Sequence, residues 1–306
     1  MPADAVQQGR IVAAHGRHYM VVLADGTQRE CFPRGKRSEL AVGDEVMVRL
    51  QGENQGSIET RLPRRNLVYR SDDFRSKQFA ANVDQLLLVI ATDPPFSEEL
   101  AGRALVAARS ADIEPLILLN KTDLAHLLPA ARERLAAMLP AELEVPVIEV
   151  QATDTAATRA QLLPLLKGRT SLLLGQSAMG KSTILNALVP DADAATQEHS
   201  QALGAGRHTT TATRLYPLPD DTGEDAGELI DSPGFQNFGL QHLEIADLVR
   251  SFPEFDTAAA CRFDDCSHRH EPGCEVKRLL EQGRIKPARY QLYTRLLAEL
   301  EARPAY

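Results

Sequence analysis

The stretch Gly175-Gln-Ser-Ala-Met-Gly180-Lys181-Ser182 has the full G-x-x-x-x-G-K-[ST] spacing of a phosphate-binding loop. An apolar run, Thr170-Ser-Leu-Leu-Leu174, leads into it, and a helical pattern, Ser182-Thr-Ile-Leu-Asn-Ala-Leu188, leads out. Strand, loop and helix are the setting the motif requires. Its glycines let backbone amides curl around phosphate oxygens at a helix N-terminus. Lys181 reaches the β- and γ-phosphates, and Ser182 offers a hydroxyl to Mg²⁺. The expected contacts run from Gly175 through Gln176, Ser177, Ala178, Met179, Gly180, Lys181 and Ser182 to Thr183.

Around this loop, from Val83 onward, apolar runs alternate with amphipathic stretches, the pattern of a largely parallel sheet covered on both faces. Strands are expected at Asp84–Ala91, Pro115–Asn120, Val145–Val150, Thr170–Leu174, Thr213–Leu218 and Glu228–Asp231. Helices are expected over about 97–111, 123–138, 156–166 and 181–189.

Asn120-Lys121-Thr122-Asp123 follows the second of these strands, at the end where open α/β sheets bind ligands. A buried Asp123 carboxylate accepts two hydrogen bonds from the N1–H and N2–H₂ edge of guanine and is left unpaired by adenine. Asn120 serves the loop and the base N7, the Lys121 stem covers the ring, and Gln151 with Ala152 offers a backbone contact to guanine O6. A third motif, Asp231-Ser-Pro-Gly234, ends a strand as D-x-x-G. Asp231 holds Mg²⁺ through water, and the Gly234 amide senses the γ-phosphate. Between residues 191 and 212 a long polar stretch ends in Gly206-Arg-His-Thr-Thr-Thr211, a switch segment in which Thr210, flanked by Thr209 and Thr211, is the expected second Mg²⁺ ligand.

At 306 residues, 43% hydrophobic and 25% charged, the chain has the composition of a soluble globular protein of about two domains. No apolar run reaches 18 residues, and the first residues lack the regions of a signal peptide, so no membrane partner and a cytoplasmic setting are expected. The formal net charge of −8 hides an asymmetry: residues 1–70 are net +3, residues 275–306 net +3, and the middle net −14. Basic ends suit contact with a polyanion.

The N-terminal segment shows short apolar alternations at Arg10-Ile-Val-Ala-Ala14, His18–Leu23 and Glu45–Leu50, the pattern of a five-stranded OB-type barrel. Arg34, Lys36 and Arg37, with Arg61, Arg64 and Arg65, are candidate grips on RNA phosphates. Residues 66–81 are charged and irregular and read as a linker. Near the other end, Cys261-Arg-Phe-Asp-Asp-Cys266-Ser-His268-Arg-His270-Glu-Pro-Gly-Cys274 offers three thiolates and two imidazoles, a soft-ligand set for a four-coordinate structural Zn²⁺. Either His268 or His270 completes the set. Beyond it, 276–282 and 287–301 look helical, and Arg278, Arg284, Lys286, Arg289 and Arg295 face RNA phosphates on this reading.

The motif order N-K-x-D, phosphate loop, switch threonine, D-x-x-G is a circular permutation of the usual GTPase order, which a compact domain tolerates when its termini lie close together. A β-barrel, a permuted GTPase and a cysteine cluster in succession resemble the RsgA family of small-subunit-dependent GTPases over nearly the whole chain. The resemblance rests on Asn120–Asp123, Gly175–Ser182, Gly206–Thr211, Asp231–Gly234 and the cysteine cluster. It implies a multidomain chain with an OB-fold RNA-binding domain over 1–66, a linker over 67–81, an α/β P-loop GTPase domain over 82–240 and a C-terminal α-helical zinc-binding domain over 241–306. It selects Cys261, Cys266, His268 and Cys274 as zinc ligands. Phe235 follows D-x-x-G where many GTPases carry a glutamine, and a phenyl ring cannot orient water. The resemblance assigns that task to His208, beside Lys181 and Gly234. The implied function is GTP hydrolysis coupled to late maturation of the small (30S) ribosomal subunit, with GTP/GDP and 16S rRNA as partners and a monomeric chain. The alternative is a GTP-gated RNA-binding switch in which hydrolysis is incidental.

Overall fold

In a computed structural model, the chain is described over residues 6–34, 39–72, 75–190, 192, 213–218, 227–232 and 240–303. The first five strands are β1 (Val6–His15), β2 (His18–Leu23), β3 (Gln28–Pro33), β4 (Glu45–Gln51) and β5 (Gln55–Arg61). β1 pairs with both β2 and β4, β2 with β3, β3 with β5 and β5 with β4, so the ribbon closes on itself as a barrel. Alternation does the work here: Val46, Val48 and Leu50 of β4 point inward and are buried, while their neighbours are half-exposed.

The stretch read as an irregular linker is instead an antiparallel hairpin, β6 (Leu67–Asp72) and β7 (Arg75–Ala81). Side-chain amides pin its base. The Asn66 Nδ2 donates to Val83 O at 2.7 Å, and the Asn82 Nδ2 donates to Gly43 O at 2.9 Å. Arg64 joins hairpin to barrel, reaching Asp44 at 2.6 and 2.7 Å and Gln78 Oε1 at 2.8 Å.

The α/β region contains β8 (Gln85–Ala91), α1 (Glu98–Ser110), β9 (Glu114–Asn120), α2 (Leu128–Met138), β10 (Val147–Glu149), α3 (Thr155–Leu166), β11 (Thr170–Gly175), α4 (Lys181–Leu188), β12 (Arg214–Pro217) and β13 (Glu228–Asp231). Its strand order is β10-β9-β8-β11-β13-β12, parallel except for β12. Every residue of β8 and β11 is buried, as a sheet covered on both faces demands. From β8 the chain winds to one edge, then returns beside β8 as β11 and winds to the other. The loops leaving β8 and β11 therefore part, which opens a ligand crevice at the carboxyl ends of the strands. α2 starts at Leu128 rather than near 123, because residues 121–127 are held in turns and Pro129 fits the first helical turn.

β12 also pairs with barrel strand β1, Ala13 opposite Arg214, so barrel and α/β region share one sheet. Nearby, the Arg10 guanidinium pairs with Glu228 at 2.6 Å and donates to Thr170 Oγ1 at 3.0 Å.

The C-terminal region comprises α5 (Ile245–Arg250), a 3-10 stretch Pro253–Ala260, α6 (Glu275–Glu281) and α7 (Pro287–Glu301). Phe252, Phe255 and Tyr293 form its aromatic centre. Arg289 lies within it, 1% exposed, paired with Glu254 at 2.7 Å and stacked 4.3 Å above the Phe252 ring. The expectation that Arg289 faces RNA is therefore overturned, and Arg64, in its pair with fully buried Asp44, is equally committed. Arg65 bonds Asp84, Arg278 bonds Glu275, Arg295 bonds Glu99, and Lys286 donates to Ala136 O. Arg284 is exposed.

Candidate nucleotide site and metal centre

The phosphate loop leaves β11 at Gly175 and enters α4 at Lys181. Gly180 has φ +94°, and a Cβ there would meet Asn120 Nδ2 at 2.2 Å, so only glycine lets the loop close on its neighbour. Ala178 also takes a left-handed conformation, φ 66°. The Lys181 ammonium folds back over the loop, donating to Gly175 O at 2.7 Å and Gln176 O at 3.0 Å. Burial pulls its pKa down, and the Asp231 carboxylate opposes that pull. Ser177, Ala178, Ser182 and Thr183 are exposed at the loop's mouth, and Met179 is buried beneath it.

Asn120 is 2% exposed and spans two loops. Its Nδ2 donates to Met179 O at 2.9 Å, and its Oδ1 accepts from the Ala152 amide at 3.0 Å. The N-K-x-D strand end, the phosphate loop and the Gln151-Ala152 turn are thereby locked together. Within the Gln151-Ala152 stretch expected to offer a backbone contact to guanine O6, the Ala152 amide is engaged by Asn120. Lys121, at φ 63°, extends its ammonium to Asp93 O at 2.6 Å, while Thr92 Oγ1 donates to Lys121 O at 2.9 Å. Asp123, expected to be buried, is exposed, and its carboxylate has no hydrogen-bond partner among the described residues. It lies in the run of turns, residues 121–127, that precedes α2.

Asp231 ends β13 beside β11, in register with Leu173. It is 7% exposed, and burial pushes its carboxyl up to about 6 against the pull of Lys181, the Ser232 amide and Arg214. Ser232 Oγ donates to Leu173 O at 3.3 Å, fixing the exit of the strand. His208, Thr210 and Gly234, with Thr209, Thr211 and Phe235, lie outside the described residues.

Two contacts were not expected from the motifs. The Gln176 Oε1 accepts from the Ser97 amide at 2.7 Å, and Asp93 O holds Lys121. Ser97 does carry a signal, since it caps α1 ahead of Glu98 and Glu99 and accepts from the Leu100 amide at 3.3 Å.

In the C-terminal region the Cys261, Cys266 and Cys274 sulfurs and a His268 ring nitrogen lie within 4.8 Å of one another. His268 turns Nδ1 toward Cys261 and Cys274, at 3.7 and 3.6 Å, and its left-handed φ of 59° presents the ring to them. Metal bonds of about 2.0–2.3 Å place tetrahedral ligand atoms roughly 3.5–4 Å apart, so this donor set can hold a metal ion. His270 is exposed and outside the cluster. The Glu271 carboxylate braces the loop by accepting from Ser267 N, Arg269 N and His270 N. Tyr290 Oη donates to His268 O at 2.7 Å, and Tyr293 Oη donates to Ser267 O at 3.0 Å.

A phosphate loop at the sheet's centre, the N-K-x-D loop two strands to one side and a D-x-x-G strand on the other, met in permuted order, define a circularly permuted P-loop GTPase. The profile of the RsgA GTPase family matches residues 61–241. The chain belongs to the RsgA GTPase family and is a GTP hydrolase. It is 59% identical to the small ribosomal subunit biogenesis GTPase RsgA of Bordetella pertussis over 300 residues, 98% of each chain. To that of Burkholderia pseudomallei it is 55% identical, over 95% of this chain and 92% of the relative. Among solved structures it resembles YjeQ from Thermotoga maritima, with TM-score 0.72 and 29% identity over 98% of this chain and 100% of that one. It shares the fold of YloQ, a circularly permuted GTPase, with TM-score 0.69 and 24% identity over 100% and 99% of the two chains. No helix among the described residues is long and apolar enough to cross a membrane.

Proposed function

We propose that the chain binds GTP at the phosphate loop, hydrolyses it, and couples hydrolysis to late maturation of the small ribosomal subunit. The observation that carries this reading is Asn120, whose one buried amide joins the phosphate loop to the base-reading loops. On this reading Gly175–Thr183 cradles the phosphates, and Lys181 exchanges its two carbonyl partners for β- and γ-oxygens. Asn120, Lys121 and Asp123 take the guanine, with Gln151 and Ala152 shaping the pocket. Ser182 and Thr210, with Asp231 acting through water, would hold Mg²⁺, which would neutralise phosphate charge. The exposed Ser182 hydroxyl and the buried Asp231 carboxylate suit a hard, oxygen-seeking cation. His208 orients the attacking water and the Gly234 amide meets the γ-phosphate.

The metal in the Cys261, Cys266, His268 and Cys274 cluster is one Zn²⁺, whose role is to fix the loop that α7 supports; three thiolates and an imidazole leave no open position for catalysis. The working divisions are a barrel over 1–66, the hairpin connection over 67–81, the GTPase over 82–240 and the zinc module over 241–306. The protein acts as a monomer in the cytoplasm, with 16S rRNA as the ribosomal contact. Phosphate release from GTP, measured with and without purified 30S subunits and with 50S subunits as a control, tests the proposal. Stimulation by 30S alone is expected; no stimulation overturns it.

A further inference from the structure

Gln176 faces two ways. Its carbonyl accepts from the Lys181 ammonium at 3.0 Å, on the phosphate side, while its side-chain Oε1 accepts from the amide of Ser97, 79 residues away, at 2.7 Å. Ser97 is the N-cap of α1, so the phosphate loop is tied to the residue that caps a thirteen-residue helix. The flank of the same helix carries the C-terminal module. Arg103 of α1 donates to Glu299 of α7, through Nη1 at 2.9 Å, and Glu99 of α1 accepts from Arg295 of α7. Between these pairs Gly102 lacks the Cβ that would lie 2.5 Å from Leu292 Cδ2, which lets α7 approach closely. At its other face α7 holds the metal loop through Tyr290 and Tyr293. A continuous run of contacts thus leads from phosphate loop to α1, to α7, to metal loop. It passes through neither the switch segment nor D-x-x-G.

We infer that Gln176 is a positioning residue that couples docking of the C-terminal module on α1 to nucleotide affinity. This rests on the phosphate-loop reading. A module held on α1 fixes the Ser97 amide, and the Ser97 amide fixes the loop that must wrap the phosphates. By reciprocity, nucleotide in the loop tightens the module's seat on α1.

A double-mutant cycle on GDP affinity tests it. Gln176→Leu removes the acceptor and leaves an apolar side chain of similar bulk; about fivefold weaker binding is expected, the equivalent of one neutral hydrogen bond. Glu299→Lys sets like charges across the α1–α7 contact without touching the nucleotide loops. It is expected to weaken GDP binding about threefold in the wild-type background and not at all in the Gln176→Leu background. Gln176→Glu retains an acceptor for Ser97, so the response to Glu299→Lys returns, whatever its own charge does to absolute affinity. Equal responses to Glu299→Lys in wild type and Gln176→Leu overturn the inference. A Lys181→Ala variant that binds GDP as well as wild type overturns the phosphate-loop reading instead.

Discussion

Asn120 and Met179 lie 59 residues apart, yet the Asn120 Nδ2 donates to the Met179 carbonyl at 2.9 Å inside the buried floor of the crevice. The same side chain accepts from Ala152, so its loss frees two loops at once. Asn120→Ala leaves a buried carbonyl and a buried amide without partners, each costing about 1–3 kcal/mol. GDP affinity, measured by fluorescence titration, should fall by at least about tenfold; unchanged affinity would show that the loops hold their shape without it.

Asp123 offers an exposed carboxylate beside this floor. Its two acceptors match the N1–H and N2–H₂ edge of guanine, and an amide at this position matches xanthine instead. Asp123→Asn should therefore shift preference from GTP toward xanthosine triphosphate in a competition assay. Retained GTP selectivity would remove Asp123 from the base-reading role.

The metal cluster separates two histidines that spacing alone leaves equivalent. Cys261→Ser or His268→Ala should cut bound zinc, measured by mass spectrometry, and lower the thermal midpoint, because metal-binding free energy is folding free energy in such sites. His270→Ala should change neither, since His270 is outside the cluster.

Arg289 and Glu254 are each 1% exposed at the side chain. Arg289→Met strands a buried carboxylate and should cost about 3–5 kcal/mol in denaturant unfolding. Adding Glu254→Leu should recover much of that loss, as paired removal leaves no uncompensated charge. A double variant as unstable as the single one would show that the stacking of Arg289 on Phe252, rather than the charge pair, carries the stability.

His242 stacks on Tyr69 of the hairpin, ring centroids 4.2 Å apart, with its Nδ1 buried and without a hydrogen-bond partner among the described residues. Burial pushes its pKa down to about 4 from 6.5, Arg303 pushes the same way, and Asp247 opposes. Between those values the unfolded chain binds the proton more readily than the folded one, so this contribution to stability is complete above pH 6.5 and is lost as pH falls toward 4. His242→Phe keeps the stack and removes the titration. Denaturation curves at pH 7 and pH 5 should differ less in the variant than in the wild type.

Much of this was legible in the chain itself, because the phosphate loop, N-K-x-D and D-x-x-G are local and their residues are read in place. The buried strands announced themselves as unbroken apolar runs, β8 above all. What escaped was tertiary. Arg64 and Arg289 look like any surface arginine until Asp44, 20 residues back, and Glu254, 35 residues back, are brought against them. Residues 67–81 carry too many charges to read as strands, yet backbone pairing and the amides of Asn66 and Asn82 fold them into a hairpin. The exposure of Asp123 follows from where α2 begins, which the helical periodicity upstream of Leu128 misplaced.

The seating of β1 against β12 has a consequence for what other chains can do to this one. An unpaired strand edge is a template on which a passing chain can add itself as a further strand. Here the edge beside the D-x-x-G strand is partly taken by the protein's own barrel, through Ala13 and Arg214. The opposite edge, β10, is three residues long. Strand addition, a common means of recruiting a peptide, is thus hindered where the barrel seats on β12. Among the described residues, that leaves loops, helices and the outer face of the barrel as the broader surfaces on which a partner can dock.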